Sequence, residues 1–115
     1  MADETRVALV TGAQQGIGAA AARALAASGH DVAINWLDDQ AQAESVAAEI
    51  RASGRRAALI RGDVGTAAGG AALVEQTIAA LGRIDVLVNN AGIFPRVDFL
   101  DMTEAEWDRV IAVNL

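Results

Sequence analysis

Residues 11–18 read Thr11-Gly12-Ala13-Gln14-Gln15-Gly16-Ile17-Gly18. The apolar run Val7-Ala8-Leu9-Val10 leads into them, and an Ala-rich segment from Ile17 to Ser28 leads out. Glycines let the backbone turn tightly and let a bulky group approach without Cβ obstruction. Set between a strand and a helix, the turn lies beside the unpaired N–H groups of the helix's first turn, where the helix dipole favours an anion. A Gly-rich stretch alone also occurs where no ligand binds, but the strand-before, helix-after context reads as a dinucleotide pyrophosphate site. Gly12, Gln14, Gln15, Gly16, Ile17 and Gly18 are therefore candidate cofactor-binding residues.

Outward from this turn the chain repeats the same alternation. Short apolar runs start at Val7, Val32, Ala57 and Ile84, each nearly continuous in Val, Ile, Leu and Ala, as in strands buried on both faces of a parallel sheet. The intervening segments are helical. They are Ile17 to Ser28, Gln40 to Ser53 with Val46 and Ile50 inward, and Ala71 to Leu81 with a stripe of Leu73, Val74, Ile78 and Leu81. Gly29, Gly54 and Gly82 stand just past the ends of these segments, where a left-handed residue closes a helix. Gly69-Gly70 predicts that the third helix begins after the pair or frays there. After Val88 comes the loop Asn89-Asn90-Ala91-Gly92, and Thr103 with Glu106 reads as a capping box opening a fourth helix that carries Trp107, Val110 and Ile111. The pattern is one doubly wound α/β unit.

Composition narrows the chemistry. Among 115 residues there is no Cys, no Tyr and no Lys, all nine basic residues are Arg, and His30 is the single His. Thiolates, disulfides, Cys-ligated zinc and a two-histidine metal site are thereby excluded, and no metal site is expected. A phosphate-clamping loop of the Gly-Lys-Ser/Thr type needs a Lys the chain lacks. The net charge of −6 argues against a nucleic-acid partner. No stretch approaches the ~20 apolar residues of a membrane span, and the charged start does not read as a signal peptide. The expectation is a cytoplasmic protein. His30 reads as a surface turn residue, and the Glu44/Glu49 and Glu104/Glu106 carboxylates as solvated helix faces.

The G-x-x-x-G-x-G spacing, Asp63-Val64 after the third strand and Asn89-Asn90-Ala91-Gly92 after the fourth together resemble the short-chain dehydrogenase/reductase family from about Arg6 to Leu115. Within it the similarity is to 3-oxoacyl-carrier-protein reductases and glucose-dehydrogenase-like enzymes. The resemblance implies that Gly12, Gly16 and Gly18 form the cofactor turn, with Ile17 toward the nicotinamide-side phosphate. It implies that Asp63 accepts from the adenine amino group beside the Val64 N–H; an Asp capping the next turn is the plainer alternative. Asn90, Ala91 and Gly92 would pass along the riboses, while Asn89 and Thr11 tie strand ends together. Asn114 would be the catalytic Asn of an Asn-Ser-Tyr-Lys tetrad, holding a proton-relay water. Ile93-Phe94-Pro95 and Val97 to Met102 are candidates to flank the substrate.

The resemblance further implies a Rossmann-type parallel sheet of order 3-2-1-4, partial and flanked by helices, with its crevice where the order reverses. Either NAD or NADP is the expected cofactor. Trp36 stands at the end of the second strand, where an acid would select NAD and a cation NADP; it either borders the adenosine or belongs to the core. Gln15, Leu37, Asp38 and Asp39 tilt the balance toward NAD(H), with dual use left open. Residues 1–115 read as the N-terminal part of a single dinucleotide-binding domain, cut before the family's Ser and Tyr-x-x-x-Lys. The expected activity of the parent is hydride transfer between NAD(P) and a small carbonyl or alcohol, in a homo-oligomer, with these residues inactive alone. The alternative is a non-catalytic nucleotide-binding or regulatory module. The substrate's identity is not legible.

Overall fold

The computed structural model describes residues 4–93 and 97–115. Strands β1 (Val7–Val10), β2 (Asp31–Trp36), β3 (Ala57–Arg61) and β4 (Val86–Val88) alternate with helices α1 (Gly16–Ala27), α2 (Gln40–Ala52) and α3 (Ala67–Leu81). A short 3₁₀ turn over Phe99–Asp101 and helix α4 (Glu104–Asn114) follow. The strands pair in parallel in the order β3-β2-β1-β4, with Leu9 opposite both Ala33 and Leu87. This is the Rossmann-type order expected from the sequence, and the reversal falls between β1 and β4.

Alternating residues of β1 feed two cores, as strand geometry requires. Val10 packs with Ala19, Ala22, Ile34, Val46 and Ile50 beneath α1 and α2. Val7 and Leu9 pack with Ala33, Ile60, Leu73 and Leu81 beneath α3. The buried alanines of α1 let its backbone lie close to the sheet. Burial on both faces holds for β1 and most of β2. It does not hold for the edge strands β3 and β4: only Ile60 of β3 is buried, and Leu87 of β4 is 54% exposed.

Two expectations about α3 are corrected. The helix starts at Ala67, not after Gly69-Gly70, because the Thr66 hydroxyl accepts the Gly69 N–H at 3.0 Å and caps it. Gly69 fits there for a steric reason: a Cβ would collide with the Asp63 carbonyl oxygen. The inward row is Leu73, Thr77 and Leu81, at spacings of four, while Val74 and Ile78 are nearly half exposed. Buried Thr77 returns its hydroxyl to the Leu73 carbonyl at 2.8 Å, which lets a polar residue occupy the row.

Helices α1, α2 and α3 are followed by Gly29, Gly54 and Gly82, all at positive φ, as expected. Thr103 caps α4 by accepting the Glu106 N–H at 3.1 Å. The capping box is one-sided, since Glu106 Oε2 has no partner. None of the α4 residues is buried, so polar links matter most for its attachment. No described helix is long and apolar enough to cross a membrane.

Candidate functional site

A crevice of about 390 Å³ opens at the carboxyl ends of the strands. Its floor is the glycine turn; its walls come from Leu37 and Asp38 after β2, Asp63 and Val64 after β3, Asn90 to Ile93 after β4, and Arg109 and Val113 of α4. The volume lies in the range of small-molecule sites, and the strand-order switch is where open α/β sheets place them.

Asn35 holds the turn at its height. Its buried side chain accepts the Gly12 N–H at 3.1 Å and donates to the carbonyls of Ile60 and Gly62, while its backbone carbonyl accepts the Ala13 N–H at 2.8 Å. Across the strand-order switch, Thr11 Oγ1 accepts the N–H groups of Asn90 and Ala91 at 3.0 and 2.9 Å. The Asn90 amide donates back to the carbonyls of Thr11 and Gly12, both at 3.1 Å. The turn is therefore stitched to β2 on one side and to the β4 loop on the other.

Two glycines are fixed by crowding. Gly12 has φ +59° and would put a Cβ 2.9 Å from the Ala91 Cα. A Cβ on Gly18 would run into the Asn90 amide and the Gly12 carbonyl oxygen.

The start of α1 is chemically open. Asp39, Thr66 and Thr103 each cap their helix with a side-chain oxygen, whereas Gln15 makes no such bond and no acidic residue occupies the first turn of α1. The first N–H groups of an uncapped helix remain available to an anion. Gln14 Oε1, on the same rim, is buried without a hydrogen-bond partner. These features fit the phosphates of a dinucleotide.

On the opposite wall, Asp63 Oδ1 accepts the Gly65 N–H at 2.8 Å, the turn-capping bond that Asp often makes. Arg109 Nη1 reaches Oδ1 at 3.1 Å and Oδ2 at 2.9 Å, tying α4 to the end of β3. The Gly65 N–H, and after it Arg109, hold the Asp63 carboxyl below its ordinary pKa. At the far end of α4, Asn114 Oδ1 accepts the Ile93 N–H at 2.8 Å and Nδ2 donates to the Ile93 carbonyl at 3.1 Å. The Asn114 amide thus clamps the backbone of the β4 loop.

The structure brings Gly12, Gln14, Gln15, Gly16, Ile17, Asp63, Val64, Asn90, Ala91 and Gly92 to the crevice. Gly18 lies beneath it. Trp36 does not line it: half-buried, it packs on the core cluster shared by the sheet, α1 and α2, with the Arg61 guanidinium 5.5 Å from the ring centre. Asn89 is exposed and lines a second cavity between β4, α3 and α4; the strand tie expected of it is made by Asn90. Phe94 and Pro95 fall outside the described residues, while Val97, Phe99 and Leu100 are exposed. His30 sits in its turn, its Nδ1 3.1 Å from Ser28 Oγ, and Glu49 pairs with Arg23 on the surface. Among the described residues no cluster of three or more His, Asp or Glu could hold a metal ion.

Sequence reasoning missed Asn35 and Arg109. Asn35 had a signal, a lone amide interrupting the apolar run Val32-Ala33-Ile34. Arg109 had none, because its partner lies 46 residues away.

The comparisons with known proteins agree with this geometry. The family model described as short chain dehydrogenase matches residues 6–115. The chain is 41% identical over 110 residues to the uncharacterized oxidoreductase YohF of Escherichia coli strain K12, covering 96% of this chain and 44% of that protein. It is 42% identical over 111 residues to the 3-oxoacyl-[acyl-carrier-protein] reductase FabG of Staphylococcus aureus, covering 96% and 45%. A solved structure of a blue fluorescent protein from a metagenomic library, in complex with NADPH, superposes with a TM-score of 0.89 at 41% identity, covering 96% of this chain and 45% of that one. The chain therefore spans less than half the length of these relatives. With the match running from Arg6 to Leu115 over a Rossmann-type sheet, the chain belongs to the short-chain dehydrogenase family.

Proposed function

We propose that these residues form the cofactor-binding part of an NAD(P)-dependent oxidoreductase, the N-terminal portion of a single dinucleotide-binding domain. The observation that carries the reading is the crevice at the strand-order switch, floored by a glycine turn and the uncapped start of α1. In this reading Gly12, Gln14, Gln15, Gly16 and Ile17 receive the pyrophosphate, with Gly18 giving the turn its clearance. Asp63 and Val64 face the adenine, and Asn90, Ala91 and Gly92 border the riboses. When bound, the nicotinamide supplies the hydride acceptor or donor.

This chain's own residues bind and orient. Neither a phenol acid nor a side-chain amine is present, because there is no Tyr and no Lys. In this reading proton transfer at the substrate oxygen is assigned to groups outside these residues, and we expect no turnover from the 115 residues alone. Asn114 is the proposed catalytic member, set by its clamp on Ile93. A small carbonyl or alcohol substrate and a homo-oligomeric parent belong to the same proposal.

The proposal includes a preference for NAD(H) over NADP(H). Asp38 lines the crevice beyond β2, where a 2′-phosphate would meet its charge, while Asp39 is engaged in capping α2. Arg61 is folded over Trp36, with its Nε bonded to the Leu37 carbonyl at 3.1 Å. Calorimetric titration of the chain with NADH and NADPH tests both parts. Saturable binding with NADH the tighter ligand is expected. Absence of binding to either would overturn the dinucleotide reading, and tighter NADPH binding the preference.

A further inference from the structure

We infer that Arg109 is a positioning residue: it holds the Asp63 carboxylate as the acceptor that the proposed function assigns to the adenine amino group, so that discrimination of that amino group from a keto counterpart depends on Arg109. The inference rests on the dinucleotide reading and adds to it a residue of α4.

The geometry around Asp63 is over-determined. Gly65 has no room for a side chain: a Cβ there would meet Arg109 Nη1, Asp63 Oδ1 and Val113 Cγ2 together. One guanidinium nitrogen spans both carboxylate oxygens, and the Gly65 N–H fixes Oδ1. An ionised carboxylate has about four acceptor positions and no donor. Two on Oδ1 and one on Oδ2 are occupied, which leaves Oδ2 an acceptor on a residue that lines the crevice. An amino N–H satisfies that position. A keto oxygen would set two acceptors against each other, and a site built to receive a hydrogen bond rejects an analogue that cannot give one. Without Arg109 the carboxylate would lose the partner that spans both oxygens, and α4, with no buried residue, would lose its link to β3.

The test compares binding of NAD and of nicotinamide hypoxanthine dinucleotide, in which a keto group replaces the adenine amino group, with an NMR titration of the Asp63 carboxyl. The wild-type chain should favour NAD by about tenfold, the size of one charge-assisted hydrogen bond. Arg109→Gln should bring the ratio within about twofold and raise the Asp63 pKa; Arg109→Lys, which keeps a cationic nitrogen on a shorter side chain, should fall between. A wild-type ratio near one with both dinucleotides bound, or a ratio unchanged in both variants, would overturn the role of Arg109 alone. Failure of the wild type to bind either dinucleotide would overturn the underlying reading and this inference with it.

Discussion

The side-chain oxygen of Asn35 lies 3.1 Å from the backbone nitrogen of Gly12, and with the Ala13 N–H on the Asn35 carbonyl it holds the glycine turn to β2. The same amide donates to Ile60 and Gly62, so one buried side chain joins the turn, β2 and the end of β3. Asn35→Leu roughly keeps the volume and strands three polar groups, one buried and two partly buried. A loss of about 2–4 kcal/mol in urea denaturation is expected, with faster amide exchange at Gly12. Unchanged stability would contradict the role given to Asn35.

Adjacent glycines in α3 should respond in opposite directions. Gly70 has open space where a Cβ would go, so Gly70→Ala should stabilise by about 0.5–1 kcal/mol through helix propensity and a less flexible unfolded chain. Gly69→Ala forces a Cβ onto the Asp63 carbonyl and should destabilise by about 1–3 kcal/mol. Thermal melts of the two variants check the signs, and matching signs would refute the packing described for Asp63.

Acid sensitivity should trace in part to Asp85, as well as to Asp63. Its carboxylate takes Arg83 Nη2 at 2.6 Å and the Val7 N–H at 2.8 Å, and these two contacts, Arg83 foremost, lower its pKa. A carboxyl depressed in the folded state contributes stability that is present above its unfolded pKa of about 3.9 and is lost as pH falls through the folded value. Melting temperatures of wild type and Asp85→Asn should therefore differ above about pH 4 and converge in stronger acid. A constant offset at all pH values would show that the charge is immaterial.

The open edge of β4 should promote association of the isolated chain. Val86, Leu87 and Val88 are short and apolar, Leu87 is 54% exposed, and unpaired strand edges template pairing with other chains. Leu87→Lys should reduce concentration-dependent light scattering without loss of helical signal. Scattering equal to wild type would locate the association elsewhere, for example at exposed Val74 and Ile78.

Local chemistry was legible in the sequence, and so was the order of the elements. The glycine turn, the four apolar runs and the loop at Asn89 to Gly92 carry their own signals, because each depends on neighbours a few residues away. What escaped depends on distance. Arg109 finds Asp63 only once α4 lies over the end of β3. The start of α3 was misread because Gly69 reads as a helix breaker until the carbonyl of Asp63 is seen against it. Val74 and Ile78 fit an apolar stripe by spacing, and only the packing of α3 on the sheet shows that Thr77 holds the inward place between Leu73 and Leu81. Trp36 left two readings open, and its place on the core is set by α1 and α2 above it.

Under the proposed function, the uncapped start of α1 makes ligand binding and folding one equilibrium. The other described α-helices carry a side-chain oxygen on their first turn; α1 has none, so an anion seated there completes the helix itself. Such a ligand is absent from the unfolded chain's account and weighs wholly on the folded side. Each tenfold excess over its Kd then deepens the native well by about 1.4 kcal/mol. If the proposed cofactor seats there, the first turn of the first helix is finished by the solution, and the chain is as stable as its surroundings are rich in the group that fits.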